Sequence, residues 1–329
     1  MRTSLERLIV AVVFALLLPA CSTVKLAYNN ADEVVAWMVD DYLDLNREQE
    51  DGLRALLARF HTWHRSTQLP EYARLLDAAN RRLSAGLTEA DVAWAADAIE
   101  DRYHSLAHRA HADAVRVLAT LSDDQVAHLR RKLDDANRKW MKAHGVGASA
   151  DQQRRLRARR LLERIEHWTG TLSGAQTARL TELIDALPLI TEQSMAFRLR
   201  RQRDFLSLLE TRDDPEALST QLRAWLLDQD RTHAPEYGPV YARFVAARAH
   251  LYVEGFRLLS AEQRQHVANR LQRYSQAFRE LAEETPRPSS LAMRQDTVTR
   301  IECACYALPA APALPPSIAA QQKHAGGSL

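Results

Sequence analysis

Glycine is scarce in this chain, with ten in 329 residues, under half of the ~7% usual in globular proteins. That shortage argues against a turn-rich β fold. Cysteine is scarcer: Cys21, Cys303 and Cys305 are the only three, so no disulfide framework holds a core. Neither sign of charge dominates. Lys and Arg total 44 against 42 Asp and Glu, a formal net charge of +2, which excludes a strongly basic nucleic-acid binder and an acidic disordered chain. Long hydrophobic runs are missing too. The apolar stretch Leu8–Leu18 falls short of the about 20 residues that span a bilayer, and nothing later approaches that length. No glycines cluster at phosphate-cradling spacing, and the nucleophile elbow, His-Glu-x-x-His and Cys-x-x-Cys patterns are absent.

What is abundant is helix-forming. Ala, Leu, Arg, Glu and Lys make up just under half of the chain, a composition of long helices. The expected fold is all-α: a multi-helix bundle built from two related helical halves.

The first residues read as an address. Arg2 and Arg7 precede the apolar run, and Leu18-Pro19-Ala20-Cys21 follows it. This order resembles the signal peptide and lipobox of bacterial lipoproteins. The resemblance implies removal of residues 1–20 and acylation of Cys21, so that 21–29 is a lipidated segment and the membrane is a partner through that lipid. Several acyl chains, at about 0.8 kcal/mol per buried CH₂, hold firmly where one holds marginally. Ser22 stands where inner-membrane retention typically uses Asp, so the expected location is the periplasmic face of the outer membrane. Cys303 and Cys305 read as unpaired thiols of the tail, because a bridge between residues two apart would be strained.

Five helix starts share one form. Leu45-Asn46-Arg47-Glu48-Gln49 recurs as Leu121-Ser122-Asp123-Asp124-Gln125, Leu172-Ser173-Gly174-Ala175-Gln176 and Leu259-Ser260-Ala261-Glu262-Gln263, with Leu87-Thr88-Glu89-Ala90-Asp91 as a weaker copy. Each reads as a capping box with a preceding Leu staple, and each cap is worth about 1 kcal/mol. Leu53, Leu56, Leu57 and Phe60 align with Leu180, Leu183, Ile184 and Leu187; Gln125, His128, Leu133 and Trp140 align with Gln263, His266, Leu271 and Phe278. The halves are expected at 30–145 and 151–285, joined by a linker at 146–150. Further helices are expected at Asp32–Leu43, Pro70–Ala85, Thr88–Thr120, Glu216–Asp228 and Pro239–Leu258, and 286–329, rich in Pro and Ala, as a mostly disordered tail. Within Thr88–Thr120 the apolar face is Val92, Ile99, Tyr103, Leu106, Ala110 and Val117.

Chemistry-bearing residues are few. His104, His108 and His111 follow at i, i+4 and i+7 and could present imidazoles to a metal, but they lie opposite the Ile99/Tyr103/Leu106 stripe and read as a solvated face. His64 falls on an apolar side and reads as a satisfied, partly buried histidine. Asp40-Asp41 and Asp213-Asp214 read as helix-end and turn residues rather than catalytic pairs. Two Arg clusters, Arg154, Arg155, Arg157, Arg159 and Arg160, then Arg198, Arg200, Arg201 and Arg203, could meet phosphate or carboxylate groups. High-GC coding bias is a sufficient alternative cause. No catalytic residue and no cofactor is indicated.

Two resemblances can be named. Tyr28-Asn29, Asp41-Tyr42-Leu43-Asp44-Leu45 with Glu48-Gln49, Trp63-His64-Arg65, Thr67 and Leu69-Pro70-x-Tyr72 resemble a family of uncharacterised Gram-negative lipoproteins. This implies a helical, membrane-anchored protein and no reaction. Leu-Ser-x-x-Gln at 121, 172 and 259 is similar to the Leu-Thr-x-x-Gln motif of Spy-type periplasmic chaperones, which hold unfolding clients or sense envelope stress. The expectation is a non-enzymatic binding or scaffold protein of the envelope, its partner an envelope protein or anionic envelope component and not nucleic acid. A Spy-like chaperone and an enzyme with an unrecognised site are the alternatives.

Overall fold

The computed structural model describes residues 20–227 and 238–284, and their regular structure is all helical, without a strand. The expected leader up to residue 19, and the tail with Cys303 and Cys305, lie outside the described residues. In chain order the helices are α1 (Ala20–Asn29), α2 (Ala31–Leu43), α3 (Arg47–Trp63), α4 (Leu69–Ala85), α5 (Glu89–Leu118), α6 (Asp123–His144), α7 (Ala150–Thr169), α8 (Gly174–Asp185), α9 (Thr191–Leu208), α10 (Pro215–Leu227), α11 (Gly238–Leu258) and α12 (Ala261–Glu283). One π-turn, His64–Gln68, carries α3 directly into α4.

The repeated start signal works as read. Asn46, Thr88, Ser122, Ser173 and Ser260 each accept from the backbone N–H three residues on, and the Gln or Asp there accepts from the cap's own N–H. The preceding Leu45, Leu121, Leu172 and Leu259 are all buried, as a staple requires.

The capping glutamines also do something no local pattern reveals. Gln49 and Gln125 face one another and exchange amide hydrogen bonds, Nε2 to Oε1, at 3.1 and 2.7 Å. Gln49 Nε2 also donates to the Thr120 carbonyl (2.9 Å), and Gln125 Nε2 to that of Asp44 (2.8 Å). Gln176 and Gln263 repeat the arrangement at 2.7 and 3.2 Å, donating further to the Leu258 and Thr171 carbonyls at 2.9 Å each. In every case the carbonyl belongs to the residue two before the partner's cap. The starts of α3 and α6 are therefore clasped together, and those of α8 and α12 likewise.

Two cores surround the two clasps, and the first draws on helices from distant parts of the chain. Around the first clasp, Leu43, Leu45, Leu53, Leu118, Leu121, Val126 and Leu129 form a core completed by Leu208, Leu209, Leu218 and Leu222 from the later α9–α10 region. Around the second clasp lie Leu172, Leu180, Leu183, Ile184, Leu187, Leu251 and Leu259. The most extensive helix contact joins α4 to α12. Ala73 and Ala277 let the two backbones approach, at 1% and 0% exposure. There Ser275 Oγ bonds the Ala73 carbonyl (3.1 Å) and Asp77 (2.7 Å), and Arg279 pairs with Asp77.

One detail differs from expectation. Ile99 is 56% exposed; α5 packs through the expected Val117 together with Ala107, Ala114, Val115 and Leu118, and Tyr103 reaches the Leu226 carbonyl (2.9 Å). Pro70 stands in the first turn of α4, as expected, and α4 continues from α3 through the π-turn. The proline lacks the N–H that Ser66 O would receive, and its ring crowds that carbonyl. The chain answers by widening one turn, and Ser66 and Thr67 hydroxyls bond the Trp63 carbonyl at 3.2 and 2.7 Å.

Gln125→Ala would strand the Ser122 N–H and the Asp44 carbonyl and take one of two partners from each end of the Gln49 amide. A loss of about 2–3 kcal/mol is expected by urea titration, with non-additive coupling of about 0.5–3 kcal/mol to Gln49→Ala. Additive effects would show that the two amides do not act as a unit.

Candidate functional site

The π-turn brings polar groups to the buried side of the α3–α4 helix. Arg65 and Gln68 are only 4% and 5% exposed, and α1 closes over them. The Tyr28 hydroxyl lies 2.8 Å from His64 Nδ1, and that of Tyr72 lies 3.3 Å from Nε2. A neutral imidazole offers one donor and one acceptor, and a hydroxyl can match either. Arg65 bonds Asn29 on α1 and the Leu281 carbonyl on α12 (3.1 Å), with its guanidinium 5.2 Å from the Tyr28 ring centre. No carboxylate lies within ion-pair distance of Arg65 among the described residues. Lys25 adds an outer clamp, pairing with Glu280 (2.5 Å) and Glu284 (2.8 Å); these bonds to Glu280 and Glu284 raise its pKa. One polar cluster thus fastens α1 to the π-turn and to α12 at once.

Burial governs its electrostatics. It pushes His64 down to about 4, with nearby His61 adding to the shift. His61 is also lowered by burial, and Tyr28 and Tyr72 are raised by it. Asp32 Oδ1, His61 Nε2, Arg65 Nε and Gln68 Oε1 are buried without a protein partner. Such atoms carry a desolvation cost of about 1–3 kcal/mol each unless water meets them.

The histidines of α5 do not act together. His108 is exposed, whereas His111 is turned inward and donates from Nε2 to the Ser219 carbonyl on α10 (2.8 Å). His104 is half-buried beside the Tyr103 ring. The solvated face expected of all three thus holds only for His108, because α10 packs across this side of α5. No grouping of His, Cys, Asp or Glu suited to a metal occurs among the described residues.

The arginine clusters are divided between inside and outside. Arg157 donates to the Pro188 carbonyl (2.9 Å), Arg160 to that of Ala143, and Arg198 to Asn137 Oδ1 (2.7 Å). Arg201 lies 3.9 Å over the Trp225 ring and bonds the Trp225 carbonyl (2.7 Å), while the Trp225 indole returns a bond to the Arg201 carbonyl (3.0 Å). Arg154 pairs with Asp151 (3.1 Å) and Arg159 with Glu163 (3.9 Å). Arg200 is half-buried, while Arg155, Arg159 and Arg203 stand exposed. The adjacent acids are structural: Asp40 accepts from the Leu45 N–H (3.0 Å), and Asp214 from those of Glu216 and Ala217 (3.0 and 3.1 Å). Cys21 lies in the first turn of α1, with its side chain outside the described residues.

A family model described as "Family of unknown function (DUF6279)" matches residues 41–238. The chain belongs to this family. The match spans the first clasp and the π-turn, and it assigns no reaction. No curated protein and no solved structure matches the chain.

Sequence reasoning placed His64 correctly as a satisfied histidine but missed what it fastens. The signal was present: Tyr28-Asn29, His64-Arg65 and Tyr72 belong to one motif, and they are the residues that meet. Because the folded pKa of His64 lies below its ordinary 6.5, the folded state prefers it neutral. Its contribution is complete above pH 6.5 and is lost as pH falls toward about 4. The pH dependence of the urea midpoint over that window should flatten in His64→Gln. An unchanged slope would mean that His64 titrates alike folded and unfolded.

Proposed function

We propose that this protein is a lipid-anchored, non-enzymatic helical scaffold of the cell envelope, tethered through Cys21 at the periplasmic face of the outer membrane. The observation that supports this best is the docking of α1. A tether followed by a loose linker would leave the bundle free to tumble, whereas α1 starts at the proposed anchor and is locked by Tyr28–His64, Asn29–Arg65 and Lys25 to Glu280 and Glu284. A scaffold needs such a fixed orientation. The exposed Arg155 and Arg203 remain to meet a partner, and their planar guanidinium groups suit carboxylate or phosphate of an acidic envelope component. The Leu-Ser-x-x-Gln motif gives the chaperone alternative no separate support, since its glutamines are consumed in caps and clasps.

Mass spectrometry of the mature N-terminal peptide tests the tether. The expected peptide begins at Cys21, carrying a thioether-linked diacylglycerol and an amide-linked acyl chain, and Cys21→Ala should abolish both modifications. An intact leader with an unmodified cysteine in the wild type would refute the proposal. Cross-linking in cells then separates a single envelope partner, as proposed, from the broad client set a chaperone would give.

A further inference from the structure

The helices next to the proposed anchor carry an apolar surface that the bundle leaves uncovered. Leu26 on α1 is 61% exposed, and Val35, Trp37 and Met38 on α2 are 40%, 39% and 47% exposed. The other exposed large hydrophobics among the described residues, Ile99, Met141, Leu199 and Tyr252, are scattered over α5, α6, α9 and α11. Isolated apolar residues need no explanation, but a concentration does. α2 is apolar on both sides: Ala36 and Leu43 are buried in the core, while Val35, Trp37 and Met38 remain outside. Trp37 also borders a crevice of about 70 Å³ with Ala36, Asp40, Glu50, Leu53 and Arg54. That is far below the ~300 Å³ of a small-molecule site. What the patch offers is a surface and not a pocket.

We propose that this outer face of α1 and α2 seats on the bilayer holding the Cys21 lipid, so that the bundle lies against the membrane along its N-terminal helices. This rests on the tether reading above. Leu26 follows Cys21 by five residues on one helix, about 7.5 Å of rise at 1.5 Å per residue. An interfacial helix buries its apolar face ~5–10 Å into the headgroup and acyl boundary. The sequence leading into α1 carries the Leu8–Leu18 run, and the lipobox-like Leu18-Pro19-Ala20-Cys21 runs into the first turn of α1. Any anchor there holds the bilayer beside this patch. Trp37 is the residue type that membrane interfaces favour.

Charge selects the lipid class. Glu33 is paired with Arg54 and Asp41 with Lys132, while in the segment after α2 Asp44, Glu48 and Asp51 are exposed against the single exposed Arg47. The flank is therefore neutral to acidic. Zwitterionic headgroups suit it, and anionic ones would be repelled.

The test uses the full acylated protein reconstituted into phosphatidylcholine vesicles whose acyl chains carry bromine, a short-range quencher of indole fluorescence. The wild type is expected to be quenched, Trp37→Phe to lose most of that quenching, and Met38→Glu to reduce it with unchanged helix content by circular dichroism. Replacing part of the phosphatidylcholine by phosphatidylglycerol should weaken the effect. Equal quenching in wild type and Trp37→Phe would overturn the seating, as would none in the wild type. So would a detergent-solubilised dimer that Met38→Glu splits, since the patch would then join two copies. Failure of the tether is separable: it shows in the mass of the N-terminal peptide, while Trp37 quenching on the same vesicles still reports seating.

Discussion

A buried primary amide has two donors and two acceptor lone pairs, and it tolerates burial only if they find partners. That constraint organises this fold. Each capping glutamine spends its oxygen on the cap's own N–H and on the opposite glutamine, and its nitrogen on that glutamine and a carbonyl beyond. The requirement is met only when two helix starts are brought together in register. The clasp thus specifies geometry, whereas the leucines around it supply the larger share of stabilisation through burial. Because amides do not titrate, this part of the frame holds its hydrogen bonds irrespective of pH.

With α3 and α6 fixed at one clasp and α8 and α12 at the other, the remaining helices cross between the two cores. α4 runs from the first half to lie along α12, and α9 with α10 returns to close the first core. The π-turn belongs to the same logic. Pro70 forces a wider turn, the wider turn places Arg65 and Gln68 inside, and Arg65 then bridges α1 and α12. A backbone irregularity is thereby converted into the attachment point of the N-terminal helix.

What could be read in the sequence was what is local. A capping box is a relation between residues three apart, so all five starts were legible, as was the all-α class. The clasp was not, because Gln49 and Gln125 lie 76 positions apart and nothing in either segment names the other. The arginines misled for a related reason. A long guanidinium side chain can turn back to cap a neighbouring carbonyl, as Arg157 does at Pro188 and Arg201 at Trp225, so clustering in sequence did not become a cluster on the surface. Ile99 and His111 exchanged expected sides because α10, a distant element, decides which face of α5 is covered.

The two polar centres differ in a way that bears on function. The clasps leave no amide group idle and are insensitive to pH, so they behave as fixed frame. The cluster under α1 carries four buried atoms without a protein partner and a histidine held neutral by burial. Replacing such a cluster by apolar side chains of similar volume would often be neutral or stabilising, so stability alone does not account for its polarity. What hydrogen bonds add over apolar contact is direction. Tyr28, Asn29 and Lys25 bond three separate sites, two of them on the last helix or shared with it, and that fixes both the rotation and the register of α1. A helix that only packed could slide or turn; one held at His64, Arg65 and Glu280 cannot do so without breaking a bond. That rotational definition determines which surface α1 turns away from the bundle.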